Sequence, residues 1–234
     1  VAVVGTAPAA KDTLVIGMPT DVPLFDTHKA TGVHNGGILN QVSEPLVRLT
    51  SDGKVVPWLV ESWEQSKDGK TWTLHTRKGV KFTDGTPFNA EALRFNLERF
   101  RKHSIGKATL AMVKSMDVAG EHDLKVTTEA PFAPFINSLG YHWIVVYSPA
   151  QIQKVGDDNL HTAPVGTGPF KFVHHKRGQE VRLEANDQYW GGKPKLRAIV
   201  SKPCPDQGAR ILALESGDVD LIFHVPAQEA ARLA

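Results

Sequence analysis

Asp68 to Glu91, DGKTWTLHTRKGVKFTDGTPFNAE, constrains the fold of this chain more than any other stretch. Asp68-Gly69 and Asp84-Gly85 are turn signals, because glycine reaches the positive φ that other residues avoid. Between them, Trp72, Leu74 and Thr76 alternate with Thr73, His75 and Arg77, which predicts a strand with one buried face. Asn89 is the expected N-cap of a helix, with Phe88 and Leu93 at staple spacing. Leu93, Leu97 and Phe100 then share one helical face, and Arg94, Glu98 and Arg101 another.

The same reasoning extends along the chain. Leu14 to Met18 is an apolar run stopped by Pro19, as expected of a buried strand. A helix is expected over about His34 to Ser43, closed by Pro45, since a proline disfavours helix in the residue before it. Trp58, Leu59, Val60 and Trp63 can bury apolar surface between turns at Ser51-Asp52-Gly53 and Lys67-Asp68-Gly69. A helical stretch near Leu110 and a strand at Leu124 to Val126 follow. From Pro164 onward the signals read β at Val181 to Ala185 and β at Leu196 to Val200. They continue with a helix over Ala209 to Ser216 stopped by Gly217, and β at Asp220 to Phe223.

Length and charge exclude several classes. The 234 residues suffice for one large domain or two small ones. The formal net charge of +2 and the lack of a basic run interleaved with aromatics argue against nucleic acid. No apolar run approaches the roughly 20 residues of a membrane span. Cys204 is alone, so no disulfide forms within these residues, and between Pro203 and Pro205 it reads as structural or incidental. Ten histidines raise the question of metal. His174 and His175 are neighbours that a strand points to opposite faces, and neither an HExxH motif nor a Cys/His zinc spacing occurs. No metal site and no cofactor are expected. Enzyme motifs are also missing: there is no GxSxG elbow and no Walker A loop. Residues 1–10 read either as a signal-peptide remnant, with Ala7 and Ala9 in an A-x-A pattern, or as a flexible N-terminus.

Five segments together resemble the family 5 extracellular solute-binding proteins, the peptide- and nickel-binding receptors of bacterial ABC importers. They are Pro57 to Trp63 (PWLVESW), Asp68 to Glu91, Ala163 to Phe170 (APVGTGPF), Tyr189 to Pro194 (YWGGKP) and Ala213 to Asp220 (ALESGDVD). The resemblance implies an α/β fold: the first lobe of a type II periplasmic binding protein carrying an inserted, mostly β domain. Residues 11–45 plus 164–234 would form that discontinuous lobe and residues 46–163 the insertion. A second lobe would follow Asp220, outside these residues. The implied function is an extracytoplasmic, periplasmic receptor delivering a di- or oligopeptide to an ABC permease. It would be a monomer without catalysis. A nickel chelate or another small solute is the alternative, and a hydrolase or sensor domain on the same fold is a third.

The resemblance also points to contacts. Met18, Thr20 and Asp21 end the first strand, where first-lobe contacts of the family fall. Asp21 either pairs with a ligand amine or caps a turn. Tyr141, His142 and Trp143 lie on a loop of the inserted domain that reaches the cleft in the family. Trp143 is either a ligand platform or core. Gly166 and Gly168 read as positions of close backbone approach.

Overall fold

The computed structural model describes residues 11–29, 36–226 and 229. In chain order, β1 (Thr13–Met18) and α1 (Gly36–Leu39) come first. The middle of the chain holds β2 (Val47–Leu49), β3 (Val55–Pro57), β4 (Val60–Gln65) and β5 (Thr71–Thr76). It continues with α2 (Ala90–Arg101), α3 (Ser104–Thr109), β6 (Val113–Val118), β7 (Asp123–Thr128), α4 (Phe135–Ser138) and α5 (Pro149–Val155). A 3-10 segment at Asp157–Thr162 leads to β8 (Phe170–Lys176), β9 (Glu180–Ala185), β10 (Ala198–Pro203), α6 (Gln207–Glu215) and β11 (Leu221–Ile222).

β1 lies second from one edge of a five-stranded sheet in the order β11-β1-β10-β9-β8. It pairs in parallel with both β10 and β11, while β8, β9 and β10 pair antiparallel. A strand from the start of the chain thus shares one sheet with strands beyond residue 170. In the middle unit, β4-β5-β7-β6 is a four-stranded antiparallel sheet, and β2-β3 a separate hairpin.

The start chemistry of α2 is as the sequence predicts. Asn89 Oδ1 accepts from Ala92 N at 3.0 Å, and Phe88, Leu93, Leu97 and Phe100 are buried. These residues join Leu59, Leu74, Leu124 and Val126 in one core, to which each such side chain contributes about 1.5–3 kcal/mol. Trp72 is buried in it, and Trp58 and Trp63 pack at its margin. A second core lies on the five-stranded sheet and joins Ile16, Met18, Phe25, Ile38, Val42 and Leu183.

Three details depart from expectation. β8 had no sequence signal, because a register shift between Phe172 and His174 breaks its alternation. The strand expected at Leu196 to Val200 is shifted to Ala198–Pro203. The helix expected over His34 to Ser43 is helical at Gly36–Leu39 and then continues as turns. Its first two residues, and the N-terminal segment 1–10, lie outside the described residues.

Two polar clusters join the sheet to the middle unit. Glu44 is buried and accepts four hydrogen bonds: from Trp58 Nε1 (2.8 Å), Tyr189 Oη (2.6 Å), Trp190 Nε1 (2.9 Å) and Thr167 Oγ1 (3.0 Å). The Arg48 guanidinium lies over the Trp58 ring at 3.3 Å and that of Arg77 over Trp190 at 4.8 Å. Each guanidinium thus stacks on an indole whose N–H donates to Glu44. In the other cluster, Arg99 on α2 is buried and pairs with the buried Asp26. Its Nη1 also lies 3.0 Å from His28 Nδ1, and His28 Nε2 lies 3.0 Å from Val145 O. Burial first, then the Arg99 charge, pushes the His28 pKa down to about 4, so the ring is neutral.

Candidate functional site

Tyr141, His142 and Trp143 form one aromatic cluster. Tyr141 is 41% exposed and stacks on Trp143 with ring centres 4.8 Å apart and planes 27° apart. His142 meets Trp143 edge-on at 4.5 Å. This loop follows α4, whose short helix ends in a turn at Leu139 and Gly140. Trp143 O accepts from Thr27 Oγ1 at 3.2 Å, and the His142 ring lies 3.0 Å from where a Cβ on Gly36 would stand. A middle-unit loop is therefore pinned against α1 and the segment after β1. Gly36 makes that approach feasible, since any side chain there would push on His142.

The cluster holds polar atoms without partners. Trp143 Nε1 and His142 Nε2 are both buried and make no hydrogen bond among the described residues. Burial lowers the His142 pKa and keeps the imidazole neutral. Buried polar groups are normally satisfied, and an indole N–H can only donate. Trp143 Nε1 is therefore a donor left unused within the cluster, while the exposed Tyr141 ring offers a face for stacking. Trp143 also packs against the middle-unit core, as the core role left open by the sequence requires.

The other three candidates lie elsewhere. Met18 is buried in the sheet core and lines an apolar groove of about 360 Å³ with Ile16, Ile38, Phe170 and Phe223. α1 stands between that groove, which it meets through Gly37 and Ile38, and the aromatic cluster, which it meets through Gly36. Thr20 is exposed at a bend. Asp21 is bound into the fold: its carboxylate lies 3.0 Å from His175 Nε2 and accepts from Gly178 N and Val22 N at 2.8 Å each. Partial burial raises its pKa, but the hydrogen bonds from Gly178, His175 and Val22 outweigh that and lower it overall. Through these contacts the Asp21 carboxylate holds the β8–β9 turn against the end of β1.

Sequence reasoning missed the Glu44 and Arg99 clusters. A charged residue between Ser43 and Pro45, amid apolar Val42, Leu46 and Val47, was a signal for the first. Arg99 had none, since its helical position looks solvent-facing. His174 and His175 point apart, His174 to Glu180 and His175 to Asp21. Among the described residues no group of three or more His, Cys, Asp or Glu side chains is arranged to hold a metal ion. Among the same residues no helix is long and apolar enough to cross a membrane.

A sequence profile of bacterial extracellular solute-binding proteins, family 5 Middle, matches residues 54–234. The chain belongs to this family. The nickel-binding periplasmic protein of Escherichia coli K12 is 33% identical over 222 residues, covering 92% of this chain and 42% of that protein. The glutathione-binding protein GsiB of Salmonella typhimurium is 32% identical over 234 residues, covering 97% of this chain and 44% of that protein. Among solved structures, the oligopeptide-binding protein AppA of Bacillus subtilis, in complex with a nonapeptide, superposes with a TM-score of 0.84. It is 27% identical over 94% of this chain and 45% of that one. The chain thus spans less than half the length of these family 5 relatives.

Proposed function

We propose that the protein is an extracytoplasmic, periplasmic solute receptor that captures a di- or oligopeptide and delivers it to an ABC transporter permease. It binds and releases its solute unchanged and works as a monomer. In this reading residues 11–45 and 164–234 form the first lobe and residues 46–163 the insertion. The sheet that unites β1 with β8 to β11 supports that division.

The observation that carries the reading is the pair of unpartnered nitrogens, Trp143 Nε1 and His142 Nε2, in an aromatic cluster pinned between the middle unit and α1. Peptides offer what such a cluster lacks: backbone carbonyls, a terminal carboxylate and side chains to stack. Met18 and Thr20, at the end of β1, are proposed as secondary contacts, whereas Asp21 acts by holding the turn. Calorimetric titration with short peptides tests the proposal. The 33% identity to a nickel-binding protein favours one second reading, a nickel chelate, which the same titration with nickel ion and nickel–histidine distinguishes.

A further inference from the structure

Leu49 and Tyr141 leave an exposed apolar shelf at the edge of the aromatic cluster. We propose that this shelf takes an apolar side chain of the bound peptide, which makes Leu49 a specificity-determining residue. The inference rests on the receptor reading above and deepens it: the preferred solutes carry an aliphatic or aromatic side chain at that position.

Leu49 is the last residue of β2. Val47, two residues earlier and so on the same face of the strand, is fully buried in the middle-unit core, whereas Leu49 is 40% exposed. The face of β2 that enters the core at Val47 thus emerges from it at Leu49. It emerges against the aromatic loop, because Leu49 Cγ lies 2.8 Å from where a Cβ on Gly140 would stand. The leucine therefore packs on the backbone that leads into Tyr141, whose exposed ring stacks on Trp143. The loop is bracketed on two sides, by Gly36 of α1 at His142 and by Leu49 of β2 at Gly140.

A single exposed leucine is ordinary on a protein surface. This one adjoins an exposed aromatic ring, and its position is fixed. Thr50 and Lys54 close the β2–β3 hairpin, with Thr50 N donating to Lys54 O at 2.9 Å and Lys54 N to Thr50 Oγ1 at 3.0 Å. The cations nearest in the chain are engaged elsewhere: the Arg48 guanidinium lies over Trp58, and the Lys54 ammonium is 2.7 Å from Asp52. An apolar side chain laid across Tyr141 and Leu49 removes apolar surface of all three from water. A charged one would lose hydration there without gaining a partner.

The test is calorimetric titration with alanine tripeptides in which Leu, Phe, Ser or Asp replaces each alanine in turn. At one position the Leu and Phe peptides should bind wild type about tenfold more tightly than the Ser and Asp peptides, the scale on which an apolar site separates side chains. Leu49→Ser should lose that preference, with the constant for the Ser peptide and the melting temperature unchanged. Leu49→Met, which keeps an apolar side chain of similar volume, should retain it. A preference as large in Leu49→Ser as in wild type overturns the proposal. Saturable binding of every peptide with no preference at any position overturns the shelf and leaves the receptor reading standing. No saturable binding of any peptide overturns the receptor reading, and the shelf with it.

Discussion

Tyr189 donates its hydroxyl proton to Glu44 at 2.6 Å, across a sequence separation of 145 residues. That one bond ties the loop after β9 to the segment that enters the middle unit. Together with Trp58, Trp190 and Thr167, it gives a buried carboxylate four donors. Glu44→Gln keeps the shape but replaces one acceptor oxygen with an amide NH₂, which then faces two of the four donors. The expected loss is about 1–3 kcal/mol in urea unfolding, the range for leaving buried polar groups unsatisfied. Unaltered stability would show that the four bonds contribute nothing net.

Glu44 also predicts a pH effect. Desolvation raises its pKa above the ordinary 4.5, and the four hydrogen bonds lower it only in part. A raised folded pKa means stability that is complete below about 4.5 and lost as pH rises through the folded value. Glu44→Gln should abolish that part of the pH dependence in unfolding measured above and below 4.5. An identical profile in the variant contradicts the assignment.

His28 acts with the opposite sign. Its pKa falls from 6.5 to about 4 on folding. The unfolded chain therefore binds the proton first, and stability present above pH 6.5 is lost as pH falls toward 4. At about 1.4 kcal/mol per unit, the loss is about 3 kcal/mol. His28→Gln can keep a side-chain donor near Val145 O and an acceptor near Arg99, and it should flatten stability across this window. Equal slopes in variant and wild type would contradict the prediction.

Gly166 crosses the backbone at Val42 and Ser43. A Cβ there would run into Val42 O and crowd Ser43 Oγ. Gly166→Val is expected to lower stability by about 1–3 kcal/mol, the common range for a named steric mechanism. A melting temperature equal to wild type would count against it.

What the sequence revealed was local. The Asn89 cap, the alternation of β5 and the terminator Gly217, at φ 78°, each depend on neighbours a few residues away. β8 escaped because its bulge scrambles the period on which recognition depends. Glu44 and Arg99 escaped because their partners are distant: Thr167 and Tyr189 for one, Asp26 and Asp157 for the other. The site was half legible. Tyr141, His142 and Trp143 stand together in the sequence, but their unpartnered nitrogens and the contact with Gly36 exist only in three dimensions. The role of Asp21 was undecided because His175 and Gly178 lie over 150 residues away.

The most direct test is calorimetric titration of wild type and Trp143→Ala with short peptides, with unfolding of both measured in parallel. The receptor reading predicts saturable binding to wild type, weakened by about 1–3 kcal/mol in the variant, the scale of an aromatic hot spot. A stability loss on the order of 3–5 kcal/mol with unchanged affinity would instead make Trp143 purely core. That outcome, or the absence of saturable binding by any peptide, would contradict it.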